Sequence, residues 1–272
     1  IVGFSCAGSP TPMGTNGSAN ASPEGKKQSA GALATASDKS ELKPLFDGDR
    51  VSLVPHINAY LLPAPDVWIE ARTKPLCDVP EMTNGSKAVD GGHLFLTPEE
   101  KDALLKTDPA IAPYVRPTFG AEEFINGKER WCLWLDGVSP AVLRACPRVM
   151  ERIAEIREFR LASSKADTRK SADWPSLFQQ RRQPTAPFVV VPRVSSEQRR
   201  YVPLGFMTPD YIPLDAVQYV PDATLYHFGV LTSNVHMAWM RAVAGRLETR
   251  YRYSKDIVYN NFPFVIVEAV IE

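Results

Sequence analysis

The chain has 272 residues, 44% of them hydrophobic and 23% charged, and its 31 basic and 31 acidic side chains cancel to zero net charge. This is ordinary globular material, long enough for one large or two modest cores. No run is apolar and long enough to span a bilayer, which sets membrane-embedded functions aside, and no secretory signal precedes the globular part, so a cytoplasmic location is expected.

The 24 prolines favour loops and short elements over long helices. Cys6, Cys77, Cys132 and Cys146 form no C-x-x-C pair, and His56, His93, His227 and His236 lack metal-ligand spacing, so no metal site and four unpaired thiols are expected. The chain opens on Ile rather than Met and reads as a piece of a larger protein.

In chain order, Ile1 to Phe4 is a short apolar run that can end a strand. From Cys6 the residues are Gly, Ser, Ala, Thr, Asn and Pro with almost nothing to bury, and residues 6–45 read as a flexible linker or insertion, with order resuming near Leu42. Apolar runs broken by prolines between Val51 and Met82 predict short strands and extended segments. Asp90, Gly91 and Gly92 make a turn. Thr97, Pro98 and Glu100 supply the cap, first-turn proline and capping-box acid of a helix through Leu105.

Asn126-Gly127 signals a hairpin turn. After it, Trp131, Leu133 and Leu135 alternate with Cys132 and Trp134 as a strand buried on both faces should, with the indoles packed in the core or free to stack bases. Ser139-Pro140 starts a helix. Pro147 starts a longer one that buries Val149, Ile153, Ile156 and Leu161 and carries Arg148, Arg152, Arg157, Arg160 and Lys165 elsewhere. Arg169 and Lys170 follow in a polar stretch beyond it. Between Arg144 and Arg200 there are thirteen Lys and Arg against six Asp and Glu, so Arg157, Arg160, Lys165, Arg169, Lys170, Arg199 and Arg200 are candidate contacts to a phosphate backbone. A solvated helix face would give a similar count.

Pro187 to Met207 reads as two strands around a charged turn, with Arg193 aimed by the end of a buried strand. Asp215 and Ala216 lie in a loop before a strand at Val217 to Val220. Thr232 or Ser233 can cap a helix whose buried face is Val235, Ala238, Trp239, Ala242 and Val243, and Gly245 suits a left-handed C-cap. Beyond it the period becomes two, so in an extended segment Arg246, Glu248, Arg250 and Arg252 share one face. Guanidiniums donate to guanine in the major groove and carboxylates accept from cytosine. The same face is also what an exposed strand with mutually paired charges presents.

Catalytic signatures are missing: there is no Gly-rich phosphate loop, zinc-protease helix or G-x-S-x-G elbow. Asn261-Phe262-Pro263-Phe264 lacks the consecutive prolines of the amino-methyltransferase tetrapeptide. The segment is expected to be non-catalytic, with a mixed α+β fold of short-stranded sheets and a few capped helices, one of them long and basic.

The runs APDVWIEARTKPLCDVPEM, DGGHLFLTPEEKDALL, RPTFGAEEFINGKERWCLWL, REFRLASSKADTRK, PRVSSEQRRYVPLGF and TLYHFGVLTSNVHMAWMRAVAGRLETRYRYSKDIVYNNFPF resemble the target-recognition region of MmeI-like restriction-modification enzymes. Those join an endonuclease, an adenine-N6 methyltransferase and one DNA-recognition domain in a single chain. The resemblance implies a recognition domain over 46–264, an upstream methyltransferase strand ending at 1–5, and a C-terminal extension at 265–272. It implies double-stranded DNA and the parent's own methyltransferase and endonuclease domains as partners, with S-adenosylmethionine and Mg2+ used by the parent and no cofactor in this segment.

The resemblance also implies residue roles. Positions matching Glu248 and Arg250 read the pair after the methylated adenine, where Glu with Arg goes with cytosine. Those matching Arg193 and Asp215 read an earlier pair as guanine, and those matching Ala216 and Arg252 accept either purine between them. The implied site ends G-purine-A-C. The alternative is a protein-interaction module of a defence-system protein.

Overall fold

The computed structural model describes residues 42–58, 61–64, 66 and 68–265. The segments 1–5 and 266–272, and the linker expected at 6–45 up to residue 41, lie outside them. Two compact units are present, one reaching to Ile69 and the other starting at Glu70. The first contains an antiparallel hairpin of β1 (Lys43–Asp47) and β2 (Arg50–Val54), so β1 runs through the boundary expected at residues 45 and 46.

The second unit begins with β3 (Thr83–Asn84), β4 (Phe95–Leu96) and α1 (Pro98–Thr107). As expected, Thr97 Oγ1 accepts from the Glu100 N–H while the Glu100 carboxylate accepts from the Thr97 N–H. Next come β5 (Val115–Phe119), α2 (Ala121–Asn126) and β6 (Trp131–Leu133). The Asn-Gly signal closes α2 rather than a hairpin: Gly127 is its left-handed C-cap, and Glu123 accepts from the Gly120 N–H at the other end. Turn and C-cap need the same positive φ, so the dipeptide cannot tell them apart.

Helices α3 (Pro140–Arg144), α4 (Pro147–Leu161) and α5 (Ala166–Lys170) follow. Arg169 and Lys170, expected outside helical structure, lie in α5. Strands β7 (Phe188–Pro192), β8 (Val194–Ser195), β9 (Gly205–Met207), β10 (Ile212–Pro213) and β11 (Val217–Pro221) lead to α6 (Leu225–Leu231) and α7 (Asn234–Val243). The last elements are β12 (Gly245–Leu247), β13 (Arg250–Arg252) and a π-helical turn at Lys255–Tyr259. Among the described residues no helix is long and apolar enough to cross a membrane.

Three sheets organise this unit, in the orders β10-β5-β6-β4, β3-β11-β7-β9 and β12-β13-β8. One core packs α4 through Val149, Ile153 and Ile156 against Leu96, Val115 and Leu133. Leu161, expected to join them, is exposed, and the buried position at that end is Arg160. Strand β7 is buried along its whole length. Phe188 and Val190 face one core while Val191 faces another, together with Met237, Met240, Tyr253 and Phe262. Trp131 and Trp134 pack against the α4 core, which settles their alternatives in favour of packing.

Three expectations, about α7, Gly245 and the cysteines, are corrected. Ser233 caps α7, accepting from the His236 N–H, but the buried face is His236, Met237 and Met240, with Val235, Ala238 and Ala242 exposed. Of the expected face, Trp239 and Val243 do pack against this core, while His236, which finds a partner in Tyr253, is buried more deeply than the small alanines. Gly245 opens β12 instead of ending the helix in a left-handed conformation. Cys132 and Cys146 are free and buried, but Cys77 is disulfide-bonded, a pairing that folding sets and spacing does not reveal.

Candidate nucleic-acid interface

Residues 245–252 are not one extended segment. Antiparallel β12 and β13 place Gly245 opposite Arg252, Arg246 opposite Tyr251 and Leu247 opposite Arg250, with Glu248 and Thr249 as the turn. Arg250 and Arg252 therefore project from one face, as expected. Arg246 does not join them. It lies on the opposite face, its guanidinium carbon 3.8 Å from the centre of the Tyr251 ring, where cation–π attraction holds it. Glu248 has φ 58°, a left-handed conformation uncommon in a residue with a Cβ. That backbone presents its carboxylate to Arg250, whose Nη2 donates to Oε2 at 2.9 Å. With side chains 76% and 46% exposed, the pair adds little to stability.

Arg193 joins this hairpin to the rest of the surface. It is the single residue between β7 and β8, so a fully buried strand fixes its backbone. Its N–H donates to the Ala216 carbonyl at 3.1 Å and its own carbonyl accepts from the Tyr253 N–H at 2.8 Å. Strand β8 pairs with β13, setting Val194 opposite Arg252. The two separate stretches that carry Asp215-Ala216 and Arg250-Arg252 are thereby held on either side of Arg193. All six expected base-reading residues, Arg193, Asp215, Ala216, Glu248, Arg250 and Arg252, are brought together, and none is fully buried.

The pairing inside the cluster differs from a simple repeat of the Glu248-Arg250 arrangement. Arg193 Nη1 donates to the backbone carbonyl of Asp215 at 3.2 Å. The Asp215 carboxylate instead lies 3.9 Å from Lys87 Nζ. Lys87 carries no signal in the sequence, because its approach to Asp215 depends on a bridge between Ser86 and Leu214 that only the folded chain makes. A cleft of about 560 Å³ beside the cluster is lined by Lys87, Gly120, Glu123, Arg130, Asp215 and Ala216. A larger one, about 1050 Å³, runs between α1 and α4, and its lining mixes Glu99, Glu100, Glu151 and Glu155 with Lys128, Arg148 and Arg152.

Behind the surface, the Tyr253 hydroxyl and His236 Nε2 share a hydrogen bond of 2.9 Å. Burial lowers the His236 pKa to about 3, so it is neutral there. The sequence-stretch NNFPF is structural: Asn260 Nδ2 donates to the Arg72 carbonyl, Asn261 Nδ2 to that of Glu70, and Phe262 and Phe264 are buried.

The phosphate candidates separate. Arg199 and Arg200 are exposed in the loop after β8, beside the reading hairpin. Arg157, Lys165 and Lys170 are exposed on or next to α4 and α5. Arg169 is exposed too, but its Nη1 donates to the Ser163 and Ser164 carbonyls and ties down the turn between those helices. Arg160, expected among the phosphate contacts, is not available for that role. It is fully buried and donates to the carbonyls of Ala88, Val89, Ser171, Trp174 and Leu177, leaving nothing for a ligand.

Comparisons with known proteins identify the family of the chain. DNA methyltransferase A of Bacillus subtilis (strain 168) is 38% identical over 221 residues, 81% of this chain and 25% of that protein. The solved structure of the Type IIL restriction-modification enzyme MmeI in complex with DNA is 40% identical, with a TM-score of 0.76, and the match covers 81% of this chain and 29% of that one. The chain thus spans between a quarter and a third of the length of these relatives. Residues 63–265 match the family described as MmeI, target recognition domain, and the chain belongs to that family.

Proposed function

We propose that this domain binds double-stranded DNA and reads base edges in the major groove with Arg193, Asp215, Ala216, Glu248, Arg250 and Arg252, selecting a site that ends G-purine-A-C. One observation carries the reading: Arg250 and Arg252 project from the same face of β13, two residues apart. An antiparallel strand rises about 3.4 Å per residue, so the two side chains are spaced by roughly 6.8 Å. Two base-pair steps of about 3.4 Å span nearly the same distance. Arg250 with Glu248 then meets the terminal C pair while Arg252 with Ala216 meets the purine two steps before it, and the adenine lies between. Arg193 and Asp215, adjoining Ala216, are assigned to the G.

A carboxylate accepts from the cytosine amino group and a guanidinium donates to guanine O6 and N7, so Glu248 and Arg250 divide one C·G pair between them. Arg199, Arg200, Arg157, Lys165, Arg169 and Lys170 supply the positive charge that neutralises phosphates. The parent is read as a restriction-modification enzyme with methyltransferase and endonuclease domains beside this one. Among the described residues no group of His, Cys, Asp and Glu is placed to hold a metal ion. Recognition by these side chains uses neither Mg2+ nor S-adenosylmethionine, which we assign to the other parts of the parent.

The test is a paired exchange. Glu248→Lys with Arg250→Asp is expected to move the preference at the last position from C to G. Either change alone should weaken binding to the original site by about 1–3 kcal/mol, because one buried partner is left unpaired in the complex. Selection of bound sequences from random duplexes with the parent protein reads both results. An unaltered preference in the double variant would refute the assignment.

A further inference from the structure

We infer that Arg160 is a positioning residue for base selection, acting from the interior on the Asp215-Ala216 turn; this rests on the proposed reading of those two residues. The turn lies against residues 85–89, which serve as a rail. Gly85 donates its N–H to the Val217 carbonyl and Ser86 donates to that of Pro213, so the rail grips the turn from both ends. Contact is so close that a Cβ on Gly85 would sit 2.2 Å from the Leu214 carbonyl oxygen. Further along, the Lys87 ammonium faces the Asp215 carboxylate.

Arg160 holds the other side of the rail. Its Nη2 donates to the Ala88 carbonyl and its Nε to that of Val89, both at 2.9 Å, while the remaining donors reach Ser171, Trp174 and Leu177. Lys87 and Gln180 exchange backbone hydrogen bonds, which fixes the same rail to the same neighbouring segment. Val89 is held at φ 51°, a conformation that a β-branched residue adopts only when its surroundings impose it. Burial disfavours the charge of this guanidinium and the nearby Asp90 favours it, and its five hydrogen bonds tie the rail to the carbonyls of Ser171, Trp174 and Leu177. Here its fixed fork sets the height of a strained backbone whose far side carries the reading turn.

The experiment compares the parent protein with Arg160→Lys and Val89→Gly on duplexes carrying G-purine-A-C and its single base-pair substitutions. Lysine keeps the charge and loses the fork; glycine relaxes the strained residue and leaves the fold in place. Both variants should discriminate less at the G and purine positions, by about 3- to 10-fold for Arg160→Lys and less for Val89→Gly, with unchanged discrimination at the final C. Equal loss at all positions would mark Arg160 as a structural residue only, and undiminished discrimination in both variants would also overturn the inference. Should Arg160→Lys fail to fold, Val89→Gly decides by the same criterion. A wild-type protein indifferent to the G and purine positions would overturn the base-reading assignment itself, and the inference with it.

Discussion

Two regions rich in arginine behave in opposite ways. On the β12-β13 hairpin, Arg250 and Arg252 stay in solvent, and Glu248 accepts a strained backbone to stand beside one of them. On α4, Arg160 is swallowed by five carbonyls, and Arg152 donates to the carbonyls of His93 and Phe95. The hairpin's charges add little to stability and are available to a ligand; Arg152 and Arg160 on the helix serve the fold. A cationic residue type therefore says little about its role until its neighbours are known.

The strongest way to sharpen that contrast is Arg160→Met. Removing the guanidinium leaves buried carbonyls without donors, so unfolding stability should fall by about 3–5 kcal/mol in a denaturant titration. The hairpin exchange Glu248→Lys with Arg250→Asp should leave stability within about 0.5 kcal/mol, because that pair is exposed.

A smaller effect separates the scaffold behind the hairpin from the hairpin itself. His236 has a folded pKa near 3, below its unfolded value of about 6.5, so its neutral form contributes stability in full above pH 6.5 and loses it as the unfolded state takes up protons between pH 6.5 and 3. Stability should drop by about 2 kcal/mol from pH 7 to pH 5, and His236→Gln should flatten that part of the profile. Smallest is the contribution of one exposed cation. Lys170→Ala should make the dependence of log K on log salt shallower by about 0.9, with base preference unchanged.

Much of the fold was legible where local chemistry decides it. Thr97 with Glu100, Ser139-Pro140 and Pro147 mark helix starts that the structure keeps, and the apolar run at Phe188–Pro192 is the buried strand it resembles. Misreadings arose where one local signal serves two geometries. Asn126-Gly127 closes a helix instead of a hairpin, and the alternation after Gly245 folds back at Glu248 instead of running straight. The cluster of Arg193, Asp215, Ala216, Glu248, Arg250 and Arg252 was named through family resemblance, and its assembly depends on backbone bonds between distant segments. Lys87 and the inward role of Arg160 were beyond reach for the same reason: contacts made only after folding leave no periodicity or spacing behind.

The most direct measurement is the affinity of the parent protein for two duplexes that differ only at the base pair after the adenine, C in one and G in the other. The account predicts tighter binding to the C duplex by about 1–3 kcal/mol. Equal affinity for the two would contradict it.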